Sequence, residues 1–444
     1  MDTVLGFILV LGVLILVHEW GHYIVARLFG VRVDVFSIGF GPRLFGIKWG
    51  DTDWRISPFP LGGYVRMAGQ DLSEIDSGEQ KPTGAPDELM SKPRWQRALI
   101  SLAGPAINLI FPIFLLTGYF VVKGNPYPKY NDKPLVVLSL DAGSPLAKAG
   151  VVPGDRIVTL DGISNPTWGT VESEFNKGLV DRKFTIAYEN DGATHTAEVS
   201  TAGMKEPERL FGYPPNTPLV GYLDKSKPAA AAGIHRNDII QTMNGQPLHN
   251  WQEMVNAIQK NGGKPAQVTV LRKGQTVTLT LTPVLDKNEK GEPAWIIGIR
   301  PGQEWSFRKV GFSQSLVAAT DFTVRGTGEL LAVLKRLITG AMSAKQLQSF
   351  IGIANLAGQA VQEGTFAVIS LMAALSLNLG ILNLLPIPIL DGGNILLLSM
   401  EGIRRRDFSL AFKERFIQVG LVFLLVLFAY VMYNDVVRLL PIHS

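Results

Sequence analysis

The chain has 444 residues, of which 46% are hydrophobic, and it carries a formal charge of +4 with a pI near 9.0. Its length allows several domains, and its positive mean hydropathy of +0.18 predicts membrane spans together with water-soluble parts. The absence of cysteine excludes disulfides and thiolate metal sites. Because the basic residues cluster between apolar segments, they indicate membrane topology, and we predict no nucleic-acid binding.

Four apolar segments are long enough to cross a bilayer, which takes about 20 residues. They lie near residues 3–26, 98–122, 366–390 and 416–433. The first lacks the basic start and the cleavage site of a signal peptide, so we interpret it as a retained span. Lysine and arginine concentrate between spans one and two and between spans three and four. The positive-inside rule therefore places both loops in the cytoplasm, and both termini and the segment from about 123 to 363 outside.

Three ionisable residues lie near the end of span one. His18 and His22 are four residues apart and share a helix face, with Glu19 beside the first. In this H-E-x-x-H pattern two imidazoles bind zinc and the glutamate acts as general base toward a water molecule. Such groups are costly inside a membrane and indicate function by default. The alternative is a chance match, which is disfavoured because two of only six histidines fall at ligand spacing.

The segment between spans two and three contains an internal repeat. "SPLAKAGVVPGDRIVTLDG" starts at Ser144, and "KPAAAAGIHRNDIIQTMNG" starts at Lys227; they align without gaps. Each copy predicts a short helix ending at Ala-Gly, a strand (Arg156–Leu160 or Asp238–Met243) and a closing hairpin. The pattern resembles PDZ domains of bacterial envelope proteases. PDZ domains commonly bind peptides by adding a strand to a sheet edge; the alternative is that both copies are rigid spacers.

The segment Glu304–Gly340 follows the repeat and predicts an amphipathic helix at the outer membrane surface. Simple packing of this helix against the spans is the alternative interpretation, and the sequence leaves both open.

Span three supplies a candidate third metal ligand. A catalytic zinc site has three protein ligands and an open position, and without cysteine the third must be His, Asp or Glu. Asp391 is the only carboxylate between Glu363 and Glu401. It lies in the segment "NLLPIPILDGGN", at the end of span three. Pro386 and Pro388 break the helix there, which is tolerated at membrane depth where backbone lines a cavity. The alternative is an ordinary turn residue, since Asp-Gly-Gly is a good turn.

Taken together, these features resemble the bacterial site-2 proteases of the RseP type, which are zinc intramembrane metalloproteases. The resemblance covers nearly the whole chain: HEWGH in span one, Gly104 and Asn108 of a Gly-x-x-x-Asn motif in span two, the paired repeats, and N-x-x-P-x-P-x-x-D-G in span three. "FSIGFGP" and "PLGGYVRM" resemble the family's membrane-associated β-region. The implied fold class is an α-helical polytopic membrane protein with four transmembrane helices, that β-region and two PDZ (α+β) domains.

The resemblance also implies a domain order. It runs as transmembrane helix 1 (1–29), cytosolic loop with the β-region (30–95), transmembrane helix 2 (96–123), PDZ domain 1 (130–204), PDZ domain 2 (214–285), outer amphipathic linker (304–362), transmembrane helix 3 (364–391), basic cytosolic loop (402–415) and transmembrane helix 4 (416–435).

The family's site residues are carried over by position. The resemblance implies that His18, His22 and Asp391 bind zinc (Zn2+) and that Glu19 is the base. It further implies that Asn383 and Asn378 help to hold the substrate or the developing oxyanion.

A strand of the β-region is a second candidate substrate site. A substrate helix must unwind before cleavage, and an enzyme strand that pairs with it would replace its lost hydrogen bonds. "WRISPFP" or "GGYVRM" could supply this edge, and in the latter we expect Tyr64 and Val65 to contact the substrate.

The implied function is hydrolysis within transmembrane segments of single-span proteins that have already been trimmed outside. An anti-sigma factor or a signal-peptide remnant in the bacterial inner membrane is the implied partner. The PDZ copies would exclude bulky outer domains or bind the new carboxyl end. One alternative is an inert membrane-anchored PDZ scaffold, which the presence of Glu19 and Asp391 disfavours. Another is a metal transporter or sensor, which would need more polar residues than spans two and four offer.

Overall fold

We describe the fold from a computed structural model, which describes residues 2–70, 83–141, 143–176, 182–204, 209–287, 292–342 and 350–439. The chain forms two compact units. The first joins Met1–Asn125 to Lys309–Ser444, and the second is Pro126–Arg308.

The helices are α1 (Asp2–Leu28), α2 (Arg94–Lys123), α3 (Pro145–Lys148), α4 (Trp168–Asn176), α5 (Pro228–Ala231), α6 (Trp251–Asn261), α7 (Phe312–Ile338), α8 (Phe350–Glu363), α9 (Thr365–Asn383), α10 (Asp391–Arg404) and α11 (Leu410–Leu439). The strands are β1 (Val33–Phe40), β2 (Phe45–Trp49), β3 (Thr52–Ile56), β4 (Phe59–Met67), β5 (Asn125–Pro128), β6 (Arg156–Leu160), β7 (Ile163–Ser164), β8 (Lys183–Asn190), β9 (Ala193–Ser200), β10 (Val220–Leu223), β11 (Ile239–Met243), β12 (Gln246–Pro247), β13 (Ala266–Arg272), β14 (Gln275–Leu281), β15 (Val284–Lys287), β16 (Pro293–Ile296), β17 (Ile299–Pro301) and β18 (Trp305–Arg308).

Long apolar helices dominate the first unit. Within the described ranges, those long and apolar enough to cross a membrane are Gly6–Leu28, Arg94–Lys123, Thr365–Asn383 and Ala411–Tyr433. They overlap the predicted spans, because a run of apolar residues in a bilayer must satisfy its backbone groups internally and so forms a helix. The third ends at Asn383 and not near residue 390 as predicted, because Pro386 and Pro388 follow.

The helix α2 continues through a proline whose effect is compensated by a neighbouring helix. Pro112 has no N–H, so the carbonyl of Asn108, one turn earlier, loses its helical donor. The hydroxyl of Ser376 in α9 donates to that carbonyl at 2.8 Å. Asn108 and Ser376 are both fully buried. The bond therefore ties α2 to α9 at membrane depth.

A four-stranded sheet follows α1, in the order β2-β3-β1-β4. It contains the predicted β-region, since "FSIGFGP" begins within β1 and "PLGGYVRM" lies within β4. Phe36, Val65 and Met67 of this sheet pack with Ala26 and Val31 at the end of α1. Because β4 is an edge strand, one side of its backbone has no strand partner within the described part of the chain.

The predicted amphipathic segment forms β18 and then α7. Ala319 of α7 clusters with Leu116 and Phe120 of α2 and with Ala373 of α9. The observed contact therefore corresponds to the packing alternative.

A further helix, α10, lies between predicted span three and the predicted basic loop at 402–415, and it was not predicted because its apolar run is too short for a span. Glu401 of α10 is fully buried and accepts hydrogen bonds from Lys413 Nζ and the Phe408 amide, each at 2.9 Å. Arg94 donates to Asp407 at 2.7 Å, and this bond lowers the pKa of the Asp407 carboxyl. These contacts hold the carboxyl-terminal end of α10, whereas Asp391 is at its amino-terminal end.

In the second unit, both repeat copies form a four-stranded sheet with the same order, β7-β6-β8-β9 and β12-β11-β13-β14. The strand predicted at Arg156–Leu160 has those bounds, whereas the second begins at Ile239, one residue later than predicted. Each sheet encloses its own apolar core.

The two copies close the same turn with different chemistry. The buried Asp155 accepts from the Val152 amide at 2.9 Å and from Asn190 Nδ2 at 3.3 Å. The buried Asp238 accepts from the His235 amide at 2.8 Å and takes both forks of the Arg272 guanidinium, at 2.8 and 2.7 Å. The second copy thus replaces a neutral hydrogen bond with a bidentate ion pair.

We expect Arg272→Met to destabilise the second copy by about 2–3 kcal/mol, because it leaves the Asp238 carboxylate buried without its cation; the partial exposure of Arg272 keeps the loss below that of a wholly buried pair. Asn190→Ala should cost less. Hydrogen exchange of β13 and β8 in the full chain under increasing urea measures both effects. Equal losses would show that the ion pair stabilises its copy no more than the hydrogen bond from Asn190 stabilises the other.

Candidate metal centre

Two histidines and one aspartate converge from separate helices. His18 and His22 lie one turn apart on α1, with their Nε2 atoms 3.2 Å from each other. Asp391 is the first residue of α10; its Oδ2 lies 3.3 Å from His18 Nε2, and its Oδ1 lies 3.4 Å from His22 Nε2. The structure therefore brings together the three predicted ligands.

These separations fit a tetrahedral metal site. Bonds of about 2.0–2.1 Å from zinc to nitrogen or oxygen place tetrahedral ligand atoms about 3.3–3.4 Å apart. The two Nε2 atoms are 3.2 Å apart, one Asp391 oxygen lies 3.3 Å from His18, and the other lies 3.4 Å from His22, so the three residues form a triangle of neighbouring ligand atoms. Three nitrogen or oxygen ligands also match the number that catalytic zinc sites take from the protein. The donor set and its geometry therefore fit zinc.

A tight reversal of the chain places Asp391. After α9 ends, Pro386 and Pro388 prevent helix continuation, and Ile389 takes a φ of +78°, which is strained for a β-branched residue. A Cβ at Gly392 or Gly393 would overlap backbone carbonyls of the preceding turn. The Asp-Gly-Gly sequence thus allows α10 to begin directly against the turn, with its first carboxylate at the histidines.

The helix α2 lies directly behind both histidines. The Nδ1–H of His22 donates to the Ile100 carbonyl at 2.8 Å. Asn108 Nδ2 lies 3.0 Å from His18 Nδ1. Between them, a Cβ at Gly104 would overlap His22 Nε2 and lie 2.8 Å from His18 Cε1. The Gly-x-x-x-Asn motif supports the family resemblance, but its spacing alone does not predict that Gly104 and Asn108 contact the two histidines.

Glu19 lies beside the edge strand β4. A Cβ added to Gly63 would lie 3.4 Å from Glu19 Cγ, and the Val65 backbone is within hydrogen-bonding reach of the carboxylate. Val65 itself is buried, and the Tyr64 hydroxyl accepts a hydrogen bond from Arg55. The backbone of this strand, rather than these side chains, is therefore the part of the β-region that reaches the base.

The two candidate asparagines of α9 differ in position. Asn383 Nδ2 lies 3.4 Å from His18 Nε2. Asn378 lies two residues after Ser376, about 200° around the helix from the face that contacts α2. The geometry therefore brings Asn383 to the histidines and leaves Asn378 on another face of α9.

A histidine pair on an apolar helix, completed by a carboxylate and flanked by a glutamate, defines the class of membrane metallopeptidases. The model of peptidase family M50 matches residues 6–427. Regulator of sigma-E protease RseP from Escherichia coli K12 is 33% identical and covers 98% of both chains. A protein from Neisseria meningitidis, named as a candidate zinc metalloprotease, is 32% identical over 99% of this chain and 100% of its own.

The PDZ domain of an SdrC-like protein from Listeria monocytogenes is 21% identical, covers 19% of this chain and 87% of its own, and has a TM-score of 0.17. The chain belongs to peptidase family M50, as a site-2 protease of the RseP type. The predicted zinc cofactor is thereby confirmed, since the family is zinc-dependent.

Proposed function

We propose that the chain is an intramembrane endopeptidase that hydrolyses peptide bonds within transmembrane segments of trimmed single-span proteins. The triangle of His18, His22 and Asp391 carries this proposal. Its neighbouring ligand atoms are 3.2–3.4 Å apart, and two of its members lie within an apolar helix long enough to cross a membrane. A hydrolytic centre at that depth reaches bonds that soluble proteases do not.

The chain's own residues supply positioning and proton transfer. Zinc, held by the triangle, would polarise the scissile carbonyl and make water a better nucleophile. Glu19 is adjacent to the triangle without belonging to it, so its carboxylate is free to take the proton of the attacking water and to deliver it to the leaving amine. Asn383, 3.4 Å from His18, is placed to donate a hydrogen bond to the substrate carbonyl as it becomes negative.

Membrane orientation follows the predicted topology. With both basic loops in the cytoplasm of the bacterial cell, the metal centre lies toward the cytoplasmic end of α1, and the repeat copies, as two PDZ domains, lie outside the inner membrane. Alternate residues of β2 are exposed and apolar: Phe45, Ile47 and Trp49 are 73%, 69% and 77% exposed. Such a patch favours association of the sheet with lipid.

The substrate class follows from the site and from the relatives. Two of the relatives, from Salmonella typhimurium and Escherichia coli, carry the name regulator of sigma-E protease, which refers to a sigma factor. We infer that an anti-sigma factor or a signal-peptide remnant is the substrate, and that the PDZ domains exclude bulky outer domains or bind a newly formed carboxyl end.

The test is cleavage of a trimmed single-span substrate by the full chain in liposomes. We expect cleavage to stop when a chelator removes the metal and to return when zinc is restored. The same substrate with a folded outer domain should be cleaved more slowly. Bound zinc without cleavage of any trimmed substrate would contradict the protease function, and absence of zinc would favour the inert scaffold.

The edge of β4 offers backbone groups to an unwound substrate. We expect Val65→Pro to lower cleavage about tenfold or more without loss of zinc, because proline removes a backbone donor beside Glu19. Tyr64→Pro should also lower cleavage, but by weakening the pairing of β4 with β1, because consecutive strand residues direct their N–H groups to opposite sides. Lys48→Pro, in the opposite edge strand β2, is the matched control and should leave cleavage unchanged. Retained cleavage in both β4 variants, measured with zinc content, would rule out substrate pairing at this strand.

A further inference from the structure

Asn108 is a fully buried polar residue that no predicted step of the reaction uses. Its Nδ2 lies 3.0 Å from His18 Nδ1, and its side chain is 0% exposed. Its Oδ1 has no hydrogen-bond partner in the part of the chain that the structure describes. A buried carbonyl oxygen without a donor is destabilising, so its presence at membrane depth calls for a reason.

The chemistry of His18 provides that reason. His18 directs Nε2 toward Asp391, at 3.3 Å. A neutral imidazole that binds a metal through Nε2 carries its proton on Nδ1, and this N–H needs an acceptor. An amide NH2 only donates, whereas the amide oxygen accepts. A half-turn of the Asn108 carboxamide places Oδ1 at His18 Nδ1–H and gives the buried oxygen its partner.

The second histidine shows the same arrangement with a different acceptor. His22 Nδ1–H donates to the Ile100 carbonyl, two helical turns before Asn108 on the same face of α2. Ser376 holds the Asn108 backbone against α9 at 2.8 Å. Both histidines therefore rest on one helix, α2, which is itself fixed in place.

We propose that Asn108 is a positioning residue that accepts a hydrogen bond from His18 Nδ1–H and so holds His18 in the tautomer and orientation that bind the metal. The inference rests on the proposed ligation of zinc by His18. The carboxamide also suits the other tautomer, because Nδ2 donates to an unprotonated Nδ1 when His18 Nε2–H faces Asp391. One side chain thus serves His18 before and after metal loading.

The test compares zinc affinity, by chelator competition, in the full chain and three variants in detergent. Asn108→Leu keeps the volume and removes the acceptor, and we expect zinc to bind about 10–100-fold more weakly. Asn108→Asp keeps the acceptor, and zinc affinity should be retained. Thr117→Val is the matched control, since it removes another buried polar group of α2 far from the site. A space-filling role predicts that both Asn108→Leu and Asn108→Asp keep the affinity, and full affinity in Asn108→Leu would overturn the proposal.

A measurement on the unmodified chain decides the matter if the variants fail to fold. Solid-state NMR of the zinc-loaded protein with 15N-labelled histidine should show a protonated Nδ1 for His18, identified by its disappearance in His18→Gln. An unprotonated Nδ1 would overturn the proposal. If His18→Gln binds zinc as tightly as the unmodified chain, the proposed zinc ligation itself fails. If His18→Gln loses zinc while Asn108→Leu retains it, only the role of Asn108 fails.

Discussion

Glu19→Gln is expected to lower the cleavage rate by about 10²–10⁴-fold while zinc remains bound. The triangle of ligand atoms is complete without Glu19, so its amide analogue should leave the metal in place. The amide has nearly the same shape as the carboxylate but cannot take a proton from the attacking water. Cleavage of a trimmed single-span substrate in liposomes, together with zinc content, measures both parts of the expectation.

The matched control is Glu329→Gln, which makes the same chemical change at an exposed position of α7 and should not affect cleavage. A Glu19→Gln variant that cleaves at the unmodified rate would remove Glu19 from the reaction. Loss of zinc in the variant would instead assign Glu19 a part in holding the metal, which the described geometry does not suggest.

The sequence predicted the features that depend on spacing within one element. His18 and His22 are four residues apart on a helix, and that spacing alone brings their imidazoles together. Apolar length predicted the spanning helices, and the alternation around turn residues predicted the strand Arg156–Leu160 with its observed bounds. Asp391 lies far from the histidines in sequence, and only the family motif and the scarcity of carboxylates in span three pointed to it.

The remaining features depend on contacts between different helices and strands, and a single sequence contains little information about which residues make those contacts. The acceptor for His22 is the backbone carbonyl of Ile100, and any residue could supply it. The helix α10 escaped prediction because a short apolar run fits a helix, a strand or a loop equally well. Asn383 begins the N-x-x-P-x-P motif and Asn378 lies outside it, but only the rotation of α9 shows which of the two reaches the histidines.

Gly104→Ala is expected to abolish tight zinc binding, with a loss of affinity of about 10–100-fold or more and a matching loss of cleavage. A Cβ at this position would overlap His22 Nε2 and crowd His18 Cε1, so the imidazoles must leave their ligating positions. The helix α2 has little room to retreat, because Ser376 holds it to α9 through the Asn108 carbonyl.

Helix propensity works in the opposite direction, since alanine stabilises a helix interior by about 1 kcal/mol relative to glycine. Gly118→Ala is therefore an informative control: it lies on the same helix, and no atom lies within 4 Å of its added Cβ. Gly118→Ala should fold at least as well as the unmodified chain and keep its zinc. In Gly104→Ala overpacking offsets the gain in helix propensity, and this variant should lose zinc. Full zinc affinity in Gly104→Ala would mean that the imidazoles can bind the metal from positions other than those that the triangle defines.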